Sequence, residues 1–155
     1  MTAPHQTRTE PEAVVFDLAG TPLLSSGRTD EVVAASDNLV ARVKVYASGG
    51  ENATHAHLED EHLFLILAGR ALFQLGRDGE RQVEVGPNAG VLLPAGAFYR
   101  FSSVGEDNLV LLRVGRGRRG SDDRVGPDDL PLPGHSSKNK HQPGVPIPGV
   151  TFAAR

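Results

Sequence analysis

The chain of 155 residues has no cysteine and no tryptophan, a single methionine, and only 5% aromatic residues. Without cysteine there is no disulfide, no thiolate metal site and no cysteine nucleophile. No apolar run approaches the roughly 18 residues that a membrane-spanning helix needs. The N-terminus "MTAPHQTRTEPEAVV" has no apolar signal-peptide core. The expectation is a soluble, cytoplasmic protein that engages no membrane. A strong charge of one sign is missing too. The net charge is −3, which leaves little for a nucleic-acid binder held by phosphate contacts. The charge is uneven: residues 1–115 carry 9 Lys+Arg against 15 Asp+Glu (−6), and residues 116–155 carry 7 against 4 (+3).

No window carries a 3.6-residue apolar stripe of helical length. Between residues 13 and 114 there are instead short apolar or alternating runs: "AVVFDL", "EVVAAS", "LVARVKVYA", "HLFLILA", "ALFQL", "RQVEV", "GVLLPAG", "FYRFSS" and "NLVLLRV". Turn signals such as "ASGGEN", "LAGR", "GRDGE", "GPNAG" and "VGEDN" separate them, and Asp-Gly in "GRDGE" predicts a hairpin. Many short strands at even spacing predict an all-β, antiparallel sandwich or barrel. This gives three regions: a flexible N-terminus (1–12), a β-rich domain (13–114) and a Gly/Pro-rich extension (115–155). The extension reads as a loose tail, and "GRGRR" within it as a solvated linker. Its apolar segment 145–152 (Val145, Ile147, Val150, Phe152) is expected to dock as a strap along a sheet or a neighbouring subunit.

"THAHLEDEHLFLILAGR", residues 54–70, concentrates His55, His57 and His62 with Glu59, Asp60 and Glu61 ahead of an apolar run. In a strand, residues i and i+2 share a face, so His55 and His57 project together and can share one divalent cation such as Zn, Fe, Ni, Cu or Mn. In the following strand, alternation sends His62, Phe64 and Ile66 to one face and Glu61, Leu63 and Leu65 to the other. One of Glu61 and His62 therefore joins the pair. In "LVARVKVYA", Arg42, Lys44 and Tyr46 share a face. Facing inward, Arg42 or Lys44 would hold a substrate carboxylate or phosphate; facing outward, both are solvated. Gln74 is a candidate neighbour of the site. Phe64, Ile66, Phe73, Phe98 and Phe101 read as core or pocket wall, and His135 and His141 are given no role.

The spacing of these residues resembles the cupin family. Gly49, five residues, His55, Ala56, His57 and then Gly69 reproduce the frame of the family's first motif, G-x5-H-x-H-x3,4-E-x6-G. "VLLPAGAFYRFSS", with Pro94 and Gly96, follows the second, G-x5-P-x-G-x2-H-x3-N. The resemblance covers residues 13–114 and implies a small jelly-roll β-barrel, often a homodimer. The departures are specific. Counting back from Gly69 puts the family's glutamate at position 62, a histidine here, whereas Glu61 leaves one residue too many. The family's fourth ligand falls on Tyr99, its asparagine on Ser103, and the leading glycine of the second motif on Asn88, with Gly90 nearby. The resemblance thus implies a divalent metal ion (Fe, Mn, Ni or Zn) on His55, His57 and His62 with Tyr99 opposite. Tyr99 would be a hydrogen-bond donor, a general acid or base, or a phenolate ligand. Glu59, Asp60 and Glu61 become loop, or carboxylates that orient the histidines. The leading function is a metal-dependent, dioxygenase-like enzyme acting on a small polar or anionic molecule. The alternatives are a metal-poor isomerase or lyase and a non-enzymatic small-ligand binding module.

Overall fold

Short alternating runs with frequent turn residues become eleven strands among the residues that the computed structural model describes, 9–48, 52–116, 122–133 and 142–153. They are β1 (Pro22–Ala35), β2 (Val40–Ser48), β3 (Ala56–His57), β4 (His62–Ala68), β5 (Ala71–Leu75), β6 (Arg81–Val85), β7 (Gly90–Leu93), β8 (Tyr99–Ser103), β9 (Leu109–Gly115), β10 (Arg124–Val125) and β11 (Val145–Thr151). Six form one antiparallel sheet in the order β11-β1-β2-β9-β4-β7, and three form a second in the order β6-β5-β8. β3 and β10 make a two-stranded ribbon. The architecture is an all-β jelly roll. Among the described residues no helix is long and apolar enough to cross a membrane.

The two sheets close on an apolar core. In β4 alternation buries His62, Phe64, Ile66 and Ala68, whereas Leu63 and Leu65 stay on the outside. Phe64 meets Phe73 of the second sheet at a ring-centroid distance of 5.7 Å and Phe101 at 5.5 Å, both edge-on, and Tyr46 meets Phe101 at 5.1 Å. Each such buried aromatic contributes about 1.5–3 kcal/mol through lost apolar exposure. This aromatic layer is the floor beneath the histidines. A second apolar cluster lies on the other face of the large sheet: Leu23, Leu24, Val43, Val45 and Val110, with Leu18, Ile147 and Phe152 against it. Buried Asn108 joins the two halves, accepting from Leu24 N at 2.7 Å and donating to Leu24 O at 2.9 Å, as a neighbouring strand would.

Two motif positions show why their backbone matters. Gly69 ends β4 with φ +72°, and a Cβ there would lie 2.4 Å from the Asn108 carbonyl oxygen. Asn88, standing where the family has glycine, keeps the left-handed conformation that glycine would supply, with φ 64°. Asparagine is the residue that best tolerates it.

Three expectations change. Residues 13–18, "AVVFDL", form no strand. The run has no apolar face to bury, because Val14, Val15 and Phe16 are all exposed and only Leu18 packs. "EVVAAS" is the second half of a 14-residue strand whose first half, "PLLSSGRTD", carries little apolar alternation. Residues 22–26 pair with β11, and residues 27–35 with β2. Gly115 belongs to β9, not to a linker. Residues 1–8 of the expected flexible N-terminus, Gly49, residues 117–121, His135 and His141 lie outside the described residues.

Candidate functional site

Strand register assembles the site from cross-strand rows that all face inward. One row is His62, Gly115 and Val40; the next is Phe64, Arg113 and Arg42; the next is Ile66, Leu111, Lys44 and Asp30. The opposite wall comes from His55, which exchanges two backbone hydrogen bonds with Tyr99 at 3.0 and 3.1 Å, and from His57 on β3. The charged members of these rows, with Val40, Phe64, Gly115, His55, His57 and Tyr99, line a cavity of about 340 Å³ at the open end of the sheets, and His62, Ile66 and Leu111 are buried behind its wall.

The aromatic rings run in series across the cavity: Tyr99 to His55 at 4.6 Å, His55 to His57 at 5.2 Å, His57 to His62 at 4.3 Å. Strand alternation turns His62 inward, 1% exposed, and Glu61 outward to a separate surface groove beside Leu63 and Leu92. The donor atoms of His57, Asp60 and His62 lie within 4.8 Å of one another. Two ligands each about 2.1 Å from one ion span up to about 4.2 Å, so a small inward movement fits this set to a divalent metal. Asp60, expected as loop, thus sits with His57 and His62. His55 and Tyr99 lie beside that group, because two backbone bonds tie His55 to Tyr99 and tilt its ring against the phenol ring.

Hydrogen bonds fix which nitrogen each imidazole offers. His55 Nδ1–H donates to the Ala53 carbonyl at 2.8 Å and His57 Nδ1–H to Asp123 Oδ1 at 2.9 Å, leaving each Nε2 as a lone pair. Asp123 Oδ2 accepts from Glu59 N at 2.8 Å, so one carboxylate orients His57 and clamps the loop that carries Asp60. Burial works against ionisation of Asp123, but these donors outweigh it and hold its carboxyl below the usual range. At His62 the pattern differs. Arg113 donates to Nε2 at 2.5 Å. A guanidinium only donates, so His62 must be neutral with its proton on Nδ1.

Burial keeps all three rings neutral. It pushes His55 and His57 down to about 4, against the pull of their hydrogen-bond partners. It pushes His62 to about 2, with repulsion from Arg113 adding to it. Burial also pushes the Tyr99 phenol up to about 12, so it remains protonated. Arg42 and Lys44 do face the cavity, but Asp30 holds both, at 3.1 and 2.9 Å. Burial lowers Lys44 to about 8 in spite of that pairing. Arg124 is likewise held by Asp122, at 2.8 and 2.9 Å.

Of the other candidates, Phe64 and Phe101 form cavity wall, and Ile66 and Phe73 are core. Phe98 lies 4.3 Å under the Arg77 guanidinium, and Gln74 bonds Arg100; neither lines the cavity. Sequence reasoning missed Arg113 and Asp123. Arg113 had a signal, since it keeps the inward phase of Leu109 and Leu111 in "NLVLLRV". Asp123 had none.

No family model matches the sequence, and no curated protein matches it. Solved structures match by fold. A double-stranded β-helix protein from Klebsiella pneumoniae is 16% identical, with TM-score 0.59 over 74% of this chain and 96% of that one. KdgF from Halomonas sp. is 16% identical, with TM-score 0.54 over 60% of this chain and 82% of that one. The Cnp3 cupin domain of Schizosaccharomyces pombe is 14% identical, with TM-score 0.53 over 61% of this chain and 68% of that one. Two facing antiparallel sheets are the shared arrangement, and the chain has the cupin fold.

Proposed function

We propose that this protein is a divalent-metal-dependent enzyme acting on a small anionic molecule at the mouth of its barrel. The observation that carries the reading is the two-histidine, one-carboxylate donor set of His57, Asp60 and His62 beside a cavity rich in cations. Six cationic side chains against four carboxylates line that cavity, a local balance of 6 − 4 = +2 in a chain of net charge −3. Such walls draw in a carboxylate or phosphate. Two imidazoles and one carboxylate suit Fe(II), and the ion when bound would supply Lewis acidity and access to dioxygen chemistry. The chain's own residues do the rest. Arg113 and the Asp30-paired Arg42 and Lys44 orient the anion. Phe64 and Phe101 exclude water from below, and the protonated Tyr99 phenol donates a hydrogen bond or a proton to the bound molecule.

The test is elemental analysis of protein purified without an affinity tag, followed by anaerobic Fe(II) titration. Near one metal per chain, with dioxygen uptake on some member of a panel of small carboxylates and phosphates, is the expected result. A folded chain that takes up no divalent metal would overturn it.

A second reading has its own support in the Arg113–His62 contact, which puts a cation where the ion would stand. In that reading the pocket works without metal, as an isomerase or lyase through Tyr99 and the histidines, or as an anion-binding module. Ligand turnover or binding that survives chelation is its signature.

A further inference from the structure

The contact between Arg113 and His62 sets the guanidinium in competition with a metal ion for one neutral imidazole. His62 Nε2 accepts from the guanidinium at 2.5 Å, and one lone pair cannot serve a guanidinium and a metal ion together. The imidazole has little room to turn away. Gly115, its cross-strand partner, lies so close that a Cβ would stand 2.5 Å from His62 Cδ2 and 3.1 Å from Nε2. On another side the His57 ring is 4.3 Å away. The group free to move is Arg113, whose long side chain has the rotatable bonds that the packed ring lacks.

Arg113 also differs from three other cations of the cavity, Arg42, Lys44 and Arg124. Arg42 and Lys44 share Asp30, and Arg124 has a two-point bond to Asp122. Asp123 is engaged by His57 and Glu59 N. Among the described residues, the partner of Arg113 is a neutral imidazole, which leaves its charge without a counter-ion. The field of that charge reaches Lys44, Tyr46, His55, His57, His62 and Tyr99. A planar guanidinium at a cavity wall, lacking a carboxylate, is suited to take a carboxylate or phosphate in two-point contact.

We propose that Arg113 is a displaceable internal cation: it occupies the His62 nitrogen that a divalent metal needs, and an anionic ligand entering the cavity draws it off. Metal and anion then bind this chain cooperatively, and Arg113 selects for ligands carrying a carboxylate or phosphate group. The inference rests on the metal reading above and adds to it the coupling between the two ligands. Linkage makes the coupling reciprocal, so the factor by which the anion tightens the metal is the factor by which the metal tightens the anion.

The test is equilibrium titration of the full, tag-free chain with Mn(II), read by the electron paramagnetic resonance of the free ion. It is run in chloride and in sulfate at equal ionic strength, with sulfate as the probe anion. In chloride, Arg113→Met is expected to bind Mn(II) about tenfold more tightly than the unaltered chain. Sulfate is expected to tighten Mn(II) binding several-fold in the unaltered chain and to leave Arg113→Met unchanged. Arg113→Gln, which keeps a donor but no charge, gives the same comparison if the methionine variant does not fold. Equal or weaker Mn(II) binding by the folded variants, or the same sulfate effect in all of them, overturns the coupling while leaving the metal reading standing. No Mn(II) binding by any folded form overturns both.

Discussion

Asp123 Oδ1 lies 2.9 Å from His57 Nδ1, although 66 positions separate the two in sequence. The same carboxylate accepts from Glu59 N, so a residue of the C-terminal extension decides the tautomer of a candidate metal ligand and the placement of the next one, Asp60. Removing a carboxylate that orients a ligating histidine costs about 10–100-fold in metal affinity. Asp123→Ala should show that loss in a metal titration while its melting temperature moves by only a few degrees. An unchanged metal affinity would reduce Asp123 to a loop clamp.

The donor set itself can be separated residue by residue. His57→Ala, Asp60→Ala and His62→Ala should each lose stoichiometric metal, and Glu61→Ala should keep it, because Glu61 faces a different groove. His55→Ala is the discriminating variant. Retained metal content supports the His57, Asp60 and His62 set, whereas loss equal to that of His57→Ala restores the three-histidine set that the motif spacing implied.

Gly115 has no side chain where the His62 ring lies. Gly115→Ala would press a methyl to 2.5 Å from His62 Cδ2. Overpacking of that kind costs about 1–3 kcal/mol. Thermal or urea unfolding should register the loss, and the His62 imidazole resonances should shift. A variant as stable as the parent would mean that the ring has room to retreat, which would also weaken the case that Arg113 is the group that moves.

Lys44 gives a pH dependence with a definite sign. Burial holds its ammonium at about 8 in the folded chain against 10.5 for an ordinary lysine. Between those values the unfolded chain binds the extra proton, so stability rises with pH through the window, by about 1.4 kcal/mol per pH unit. The rise should end near pH 10. There Tyr46 and Tyr99, held up to about 12 by burial, begin to favour the unfolded chain as it ionises. Urea unfolding between pH 8 and 10 should show the climb in the parent and its absence in Lys44→Met. Parallel curves for the two would refute the assignment.

Much of this was legible in the chain. Period-two alternation in "HLFLILA" sets which side chains are buried, and it puts His62 in and Glu61 out because consecutive strand residues point to opposite faces. "GRDGE" joins β5 to β6 as its Asp-Gly turn implies, and the Gly49-to-Gly69 and Pro94–Gly96 spacings lead to the cupin fold. Other features were not legible. Residues 22–30 gave no strand signal because their partners, β11 and β2, lie far apart in sequence, and pairing rather than propensity makes them a strand. Residues 13–18 had the composition of a strand, yet only Leu18 packs against the domain.

Local periodicity and motif spacing by themselves determined the all-β class, the strand phases and three histidines on one end of the barrel, since each depends on residues a few positions apart. Tertiary structure alone decided who stands next to those histidines. It brought Arg113 onto His62 across β4 and β9, Asp123 onto His57 from the extension, and Asp30 between Arg42 and Lys44, so that among the described residues Arg113 has no carboxylate partner. Those pairings arise where strands distant in sequence align in register. Charge and hydrogen-bond partners act through distances of a few ångströms in space, which sequence separation does not specify.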